Sequence, residues 1–195
     1  MIVITNPTPV PNEIEIINSL FENGLELLHI RKPDFSEIKT ALFIHQIKKK
    51  FRGKLVLHHH HQLATEFEIN RIHFTKKDGK SNKPNSFEKP VRLSTSTHSI
   101  EDFNNLSDVY EYAFLSPVFS SISKENYHPA TDLFAAVKKR TNFKTKLIAL
   151  GGIKSDNINQ ICNSGFDGIA LLGSIWTSSN PLENFKLCQK TVLSY

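Results

Sequence analysis

Leu147-Ile148-Ala149-Leu150-Gly151-Gly152-Ile153 and Gly168-Ile169-Ala170-Leu171-Leu172-Gly173-Ser174 decide how this chain is read. Each is an unbroken apolar run that ends on glycine. A run without polar alternation suits a strand covered on both faces, as parallel strands are, and glycine lets a backbone approach an anion closely. Helix starts follow both runs. Ser155 and Asp156 are good N-cap types after Gly152, and beyond Ser174 the chain turns polar until Pro181 opens an amphipathic segment. Two strand-to-helix turns then aim free N–H groups at one point. In barrels of β/α units the loops after the seventh and eighth strands commonly hold a phosphate, so Gly151, Gly152, Gly173 and Ser174 are expected to form a phosphate cradle.

Working outward, strand-like runs recur at residues 2–5, 27–31, 55–58, 71–74, 92–96, 112–116, 147–150 and 168–172. Helical periodicity fills most of the gaps. Residues 13–23 carry Ile14, Ile17 and Leu20, and residues 36–50 carry Ile38, Leu42, Phe43 and Ile47 at three- and four-residue steps. Alternating strands and helices predict an α/β fold with a parallel sheet. Eight repeats predict a compact single (β/α)8 TIM barrel that takes up residues 1–195 as one domain. Residues 75–89 are too polar for a packed helix, so the fourth helix is expected to be degenerate. The irregular, serine-rich stretch 117–129 follows the sixth strand, on the rim where long loops are functional.

Composition narrows the class. The chain has 195 residues, of which 39% are hydrophobic, enough for one substantial core. Its apolar runs fall short of a membrane span, and its first residues are strand-like rather than a charged and then hydrophobic leader. Cys162 and Cys188 lack metal-ligand spacing, so reduced thiols and a cytoplasmic location are expected. A net charge of +5 raises the question of nucleic acid. The lysines of Lys48-Lys49-Lys50 and Lys76-Lys77, however, fall where solvated helix ends and loops are expected, so no nucleic-acid or membrane partner is expected.

Strand ends of a barrel share one mouth, and here they are polar. The second strand delivers His29 and Arg31, the third His58 and His59, the fifth Ser94 and Ser96 with His98 beyond, and the sixth Ser116. No pair of carboxylates is among them, which argues against glycosidase chemistry. Cationic and hydroxyl groups suit binding of phosphate charge. In the run His58-His59-His60-His61 successive side chains of a strand point to opposite faces, so four rings cannot converge on one ion.

At these strand ends the chain resembles the thiamine-phosphate synthase and thiazole tautomerase superfamily. Leu28-His29-Ile30-Arg31-Lys32-Pro33 is similar to the synthases' Gln-Leu-Arg-x-Lys strand, and Ser96-x-His98-Ser99 to their Ser-x-His-Thr/Ser turn. Ser116-Pro117-Val118-Phe119-Ser120-Ser121-Ile122-Ser123-Lys124 resembles a Gly-Pro-[Ile/Val]-[Tyr/Phe]-x-Thr-x-Thr-Lys loop, and residues 148–153 an Ile-Gly-Gly-Ile segment. The resemblance implies a transferase that joins hydroxymethylpyrimidine diphosphate to a thiazole phosphate, releasing pyrophosphate. By carry-over Arg31, Ser96 and Lys124 hold the diphosphate, while Ser121, Ser123, Gly152 and Gly173 hold the thiazole phosphate.

The chain also departs from the pattern. The family's Asn-Asp pair, whose aspartate binds Mg2+, falls on His58 and His59; its second aspartate corresponds to Asp78; and its glutamine has become His29. One expectation is that cationic histidines replace part of the metal's charge. A thiazole tautomerase or a non-catalytic thiazole or thiamine phosphate-binding protein are the alternatives, although the tautomerase pattern puts a histidine where this chain has Pro117. A homodimer is left open.

Overall fold

The computed structural model describes residues 1–75, 90–119 and 132–195. The elements are β1 (Ile2–Ile4), α1 (Glu13–Glu22), β2 (Leu27–Ile30), α2 (Glu37–Gln46), β3 (Leu55–Leu57), α3 (Leu63–Glu66), β4 (Arg71–Phe74), β5 (Arg92–Thr97), α4 (Ile100–Asn104), β6 (Tyr110–Leu115), α5 (Leu133–Val137), β7 (Lys146–Leu150), α6 (Ile158–Cys162), β8 (Gly168–Leu171), α7 (Gly173–Trp176) and α8 (Pro181–Leu193). Eight parallel strands in chain order close into a barrel. Ile2 of β1 pairs with Leu27 of β2 on one side and Ala170 of β8 on the other. The expected (β/α)8 fold is present. The degenerate fourth helix, Asp78, Ser121, Ser123 and Lys124 fall outside the described residues.

Side chains alternate between the two faces of each strand, and this sorts the core into two layers. Val3, Leu28, Ile30, Leu55, Leu57, Ile72, Leu147 and Leu171 face the helices. Ile2, Ile4, Tyr112, Phe114, Ile148 and Ala170 fill the barrel. The outer helices are short and depend on caps. Ser36 accepts from Lys39 N–H at α2, Ser99 from Asp102 N–H at α4, and Asn180 from Glu183 N–H at α8, where Pro181 takes the first helical position as expected.

Two expectations are corrected. The helix expected over 36–50 stops at Gln46, because Ile47 is extended and a 3-10 turn over Lys49–Lys54 follows. The cap after Gly152 is neither Ser155 nor Asp156. Asn157 precedes α6, accepting from Lys154 N–H and donating to the Gly152 carbonyl.

Lys32, next to the rim, is buried. Its ammonium donates to both Glu13 oxygens at 2.7 and 2.6 Å and to the Thr8 carbonyl at 3.2 Å. Burial pushes the Glu13 carboxyl up and the Lys32 ammonium down, and their mutual attraction opposes both shifts. Lys32 therefore locks the β1–α1 connection to the end of β2. Lys32→Ala should strand the Glu13 charge and cost about 3–5 kcal/mol in urea unfolding. Replacing both residues, as Glu13→Gln with Lys32→Met, should recover most of that loss.

Candidate functional site

The C-terminal strand ends form the mouth. Arg31 follows β2 directly, and its backbone is pinned by Thr5, whose hydroxyl accepts from Arg31 N–H and donates to its carbonyl. Its side chain is exposed, not buried as a strand-end cation would be, because β2 ends at Ile30. His59 is exposed as well, and His58 takes the interior position. His60 bonds the Phe35 carbonyl and His61 packs edge-on to Phe74, so the four-histidine run divides among separate environments. His98 bonds the Ser116 carbonyl at 2.8 Å, a turn-stabilising contact.

Below the mouth, β2, β3 and β4 bring His29, His58 and His73 together inside the barrel, all buried. His29 Nδ1 lies 2.9 Å from His58 Nε2, and His29 Nε2 lies 2.6 Å from the Tyr112 hydroxyl. His73 stands between two serines of β5, with Nδ1 2.9 Å from Ser94 Oγ and Nε2 2.9 Å from Ser96 Oγ. The sequence reading missed His73 and Tyr112. Strand parity could have found His73: in Arg71–Phe74 the apolar Ile72 and Phe74 alternate with Arg71 and His73, which puts the polar pair on the barrel side.

Burial, reinforced by the other histidines, holds His29 and His58 well below the usual imidazole range. The Arg31 charge adds a smaller push in the same direction at His58. Burial pushes the Tyr112 phenol up. His29 and His58 are therefore neutral, and the expectation that cationic histidines replace metal charge is corrected for both.

The donor set among the described residues does not fit Mg2+, which takes oxygen ligands. Among the described residues the grouped candidate ligands are His29, His58 and His73, and the position matching the family's first aspartate is the exposed His59. The three rings do not make a nitrogen site either. His58 and His73 stack with centroids 4.2 Å apart at 22°. A metal ion must lie in the plane of each ligating ring, and two nearly parallel stacked planes share no such point nearby. The nitrogens of His29 and His73 already have protein partners.

The expected cradle divides into two parts. Gly151 has φ +105°, and a Cβ there would fall 2.8 Å from the Pro117 Cβ. It lets the loops after β6 and β7 touch, where Val118 N–H donates to the Leu150 carbonyl and Phe119 N–H to the Gly151 carbonyl. Gly151 thus serves loop packing. Gly152, at φ +65°, continues the turn. Beside Gly173 the space is open, with nothing within 4 Å of an added Cβ. Among the described residues the N–H groups of Gly173 and Ser174 have no acceptor; α7 bonding begins with Ile175 N–H to the Leu172 carbonyl. Ser174 Oγ is buried without a partner. The turn after β8 therefore offers unclaimed donors beside a vacant space.

Comparison with known proteins identifies what this arrangement is similar to. A family model described as thiamine monophosphate synthase matches residues 1–175. The thiamine-phosphate synthase of Dictyoglomus turgidum is 26% identical over 175 residues, covering 87% of this chain and 78% of that protein. The crystal structure of thiamine phosphate pyrophosphorylase from Bacteroides thetaiotaomicron superposes with a TM-score of 0.80 at 32% identity, covering 98% of this chain and 96% of the other. The Pyrococcus furiosus thiamine phosphate pyrophosphorylase, at 16% identity and TM-score 0.77, covers 99% of this chain and 95% of its own and shares the fold. No helix among the described residues is long and apolar enough to cross a membrane.

The buried imidazoles make stability depend on pH. Unfolded, both rings protonate near pH 6.5, while folded they stay neutral. Below about pH 6.5 the unfolded chain binds more protons, so stability should fall with pH by about 2.7 kcal/mol per unit for two rings, and not change on their account above it. Urea unfolding between about pH 7.5 and about pH 5 checks this, and His58→Phe should remove about half the slope.

Proposed function

The chain belongs to the thiamine monophosphate synthase family, and from that premise we propose that it joins hydroxymethylpyrimidine diphosphate to a thiazole phosphate, releasing pyrophosphate and giving thiamine phosphate. The carbon–oxygen bond to the diphosphate breaks with its electron pair leaving on pyrophosphate. The resulting pyrimidine-methyl cation is captured by the lone pair of the thiazole nitrogen. Catalysis is then mostly the handling of negative charge.

Arg31, Ser96 and Lys124 hold the departing diphosphate in this reading. Gly152, Gly173, Ser174, Ser121 and Ser123 hold the thiazole phosphate. His29 and His58 form a neutral floor beneath both. The observation that carries the reading is the turn after β8, with two unclaimed N–H groups beside an open face at Gly173. The tautomerase alternative lacks its base, because Pro117 occupies that position and packs against Gly151. The expected Mg2+ finds no oxygen ligands grouped among the described residues. The same reading places the enzyme in the cytoplasm with small phosphorylated partners, and it allows a homodimer.

The test is purified protein with both substrates, in Mg2+ and in EDTA, followed by detection of thiamine phosphate. Saturable binding without product would support the binding-protein alternative, and isomerisation of the thiazole the tautomerase. Lys124→Ala should lower turnover about 100-fold as an oriented cation is lost; unchanged turnover would remove Lys124 from the mechanism. Gly173→Ala, which meets no protein atom within 4 Å, should fold normally yet raise the KM for thiazole phosphate about tenfold by crowding the phosphate.

A further inference from the structure

In its neutral form His73 has one proton to place, and a serine hydroxyl stands at each ring nitrogen. A neutral imidazole carries a single N–H, yet Ser94 and Ser96 both stand 2.9 Å from its two nitrogens. Ser94 has a competing acceptor, the Ile72 carbonyl, at 3.3 Å. These contacts permit two self-consistent arrangements. In the first, Ser94 O–H donates to the Ile72 carbonyl, His73 Nδ1–H donates to Ser94 Oγ, and Ser96 O–H donates inward to the bare His73 Nε2. All the hydrogens are then used inside the barrel, and Ser96 shows the mouth only lone pairs.

In the second, Ser94 O–H turns to His73 Nδ1, His73 Nε2–H donates to Ser96 Oγ, and the Ser96 hydrogen is freed toward the mouth. Only this arrangement lets Ser96 donate to an anion. Its cost is a long, weak bond to the Ile72 carbonyl, and its gain is a charge-assisted bond to phosphate oxygen, roughly twice as strong as a neutral one. The inner network accepts the same sense. His58 Nε2–H can donate to His29 Nδ1 and His29 Nε2–H to the Tyr112 oxygen, leaving the Tyr112 hydrogen to Ser94, with which that phenol interacts.

We propose that His73 is a positioning residue whose tautomer arms Ser96, so that binding of the diphosphate end of the substrate is coupled to moving the His73 proton from Nδ1 to Nε2. This inference rests on the diphosphate role proposed for Ser96. The Nδ1–H bond breaks and an Nε2–H bond forms, the proton exchanging through solvent, while the Ser94 and Ser96 hydroxyls keep their hydrogens and only rotate about their C–O bonds. His73 touches no substrate atom and acts through Ser96 alone.

The tautomer can be read directly. Protein labelled with 15N-histidine shows protonated and bare ring nitrogens at well-separated shifts, and His73→Gln identifies the His73 pair by its loss. With inorganic pyrophosphate added, His73 should be neutral with its proton on Nε2. Gln offers an NH2 donor and a carbonyl acceptor, so His73→Gln should hold pyrophosphate within about threefold of the parent, while His73→Phe, which fills the space without donor or acceptor, should weaken it about tenfold or more. A pyrophosphate complex with bare Nε2 overturns the inference even if the Phe variant does not fold, and so does a Phe variant that binds as tightly as Gln. Failure of the parent protein to bind pyrophosphate overturns the diphosphate reading itself, and the inference with it.

Discussion

Imidazole rings can fill the inside of a small barrel only if they are neutral and their nitrogens have partners. An unpaired polar group there costs about 1–3 kcal/mol, and an unpaired charge far more. His58, His29 and Tyr112 form one linked set of contacts and Ser94, His73 and Ser96 another, in which each member supplies what a neighbour lacks. Removing one member leaves another unsatisfied, so the members of each set constrain one another more tightly than the apolar residues around them. The apolar part of the interior, Ile4, Phe114 and Ile148, needs only volume.

This constraint separates the mouth into two electrostatic levels. The rim carries a full charge at Arg31, which remains in contact with water and loses little by waiting for an anion. The level beneath carries dipoles without net charge, because burial drives His29 and His58 neutral. A cationic floor would also have to be stable when no anion is bound, and nothing among the described carboxylates is grouped there to balance it.

The fold was legible because eight doubly covered strands leave apolar runs, and all eight lie within two residues of where the sequence puts them. The helices were less so. α3 and α7 are four residues long, held by packing rather than by propensity, and a periodicity test has nothing to measure over such a length. Within the site, the strand ends named from the sequence sit on one rim, but which of two neighbours faces inward depended on register. His58 rather than His59 points in for that reason. The role of Gly151 could not be read, because it answers to Pro117 on another loop, and contacts between distant loops leave no local pattern.

The seam between β1 and β8 has a consequence for how the molecule comes into being. Ile2 and Val3 find their partners in Ala170 and Leu171, and the indole of Trp176 donates to the Ile4 carbonyl across nearly the whole chain. On the ribosome, β1 therefore has one edge without its neighbour until β8 emerges. Long-range pairing of this kind is slow, and an open strand edge recruits foreign chains. β1 is only three residues long, which gives a stray strand little to grip during that wait.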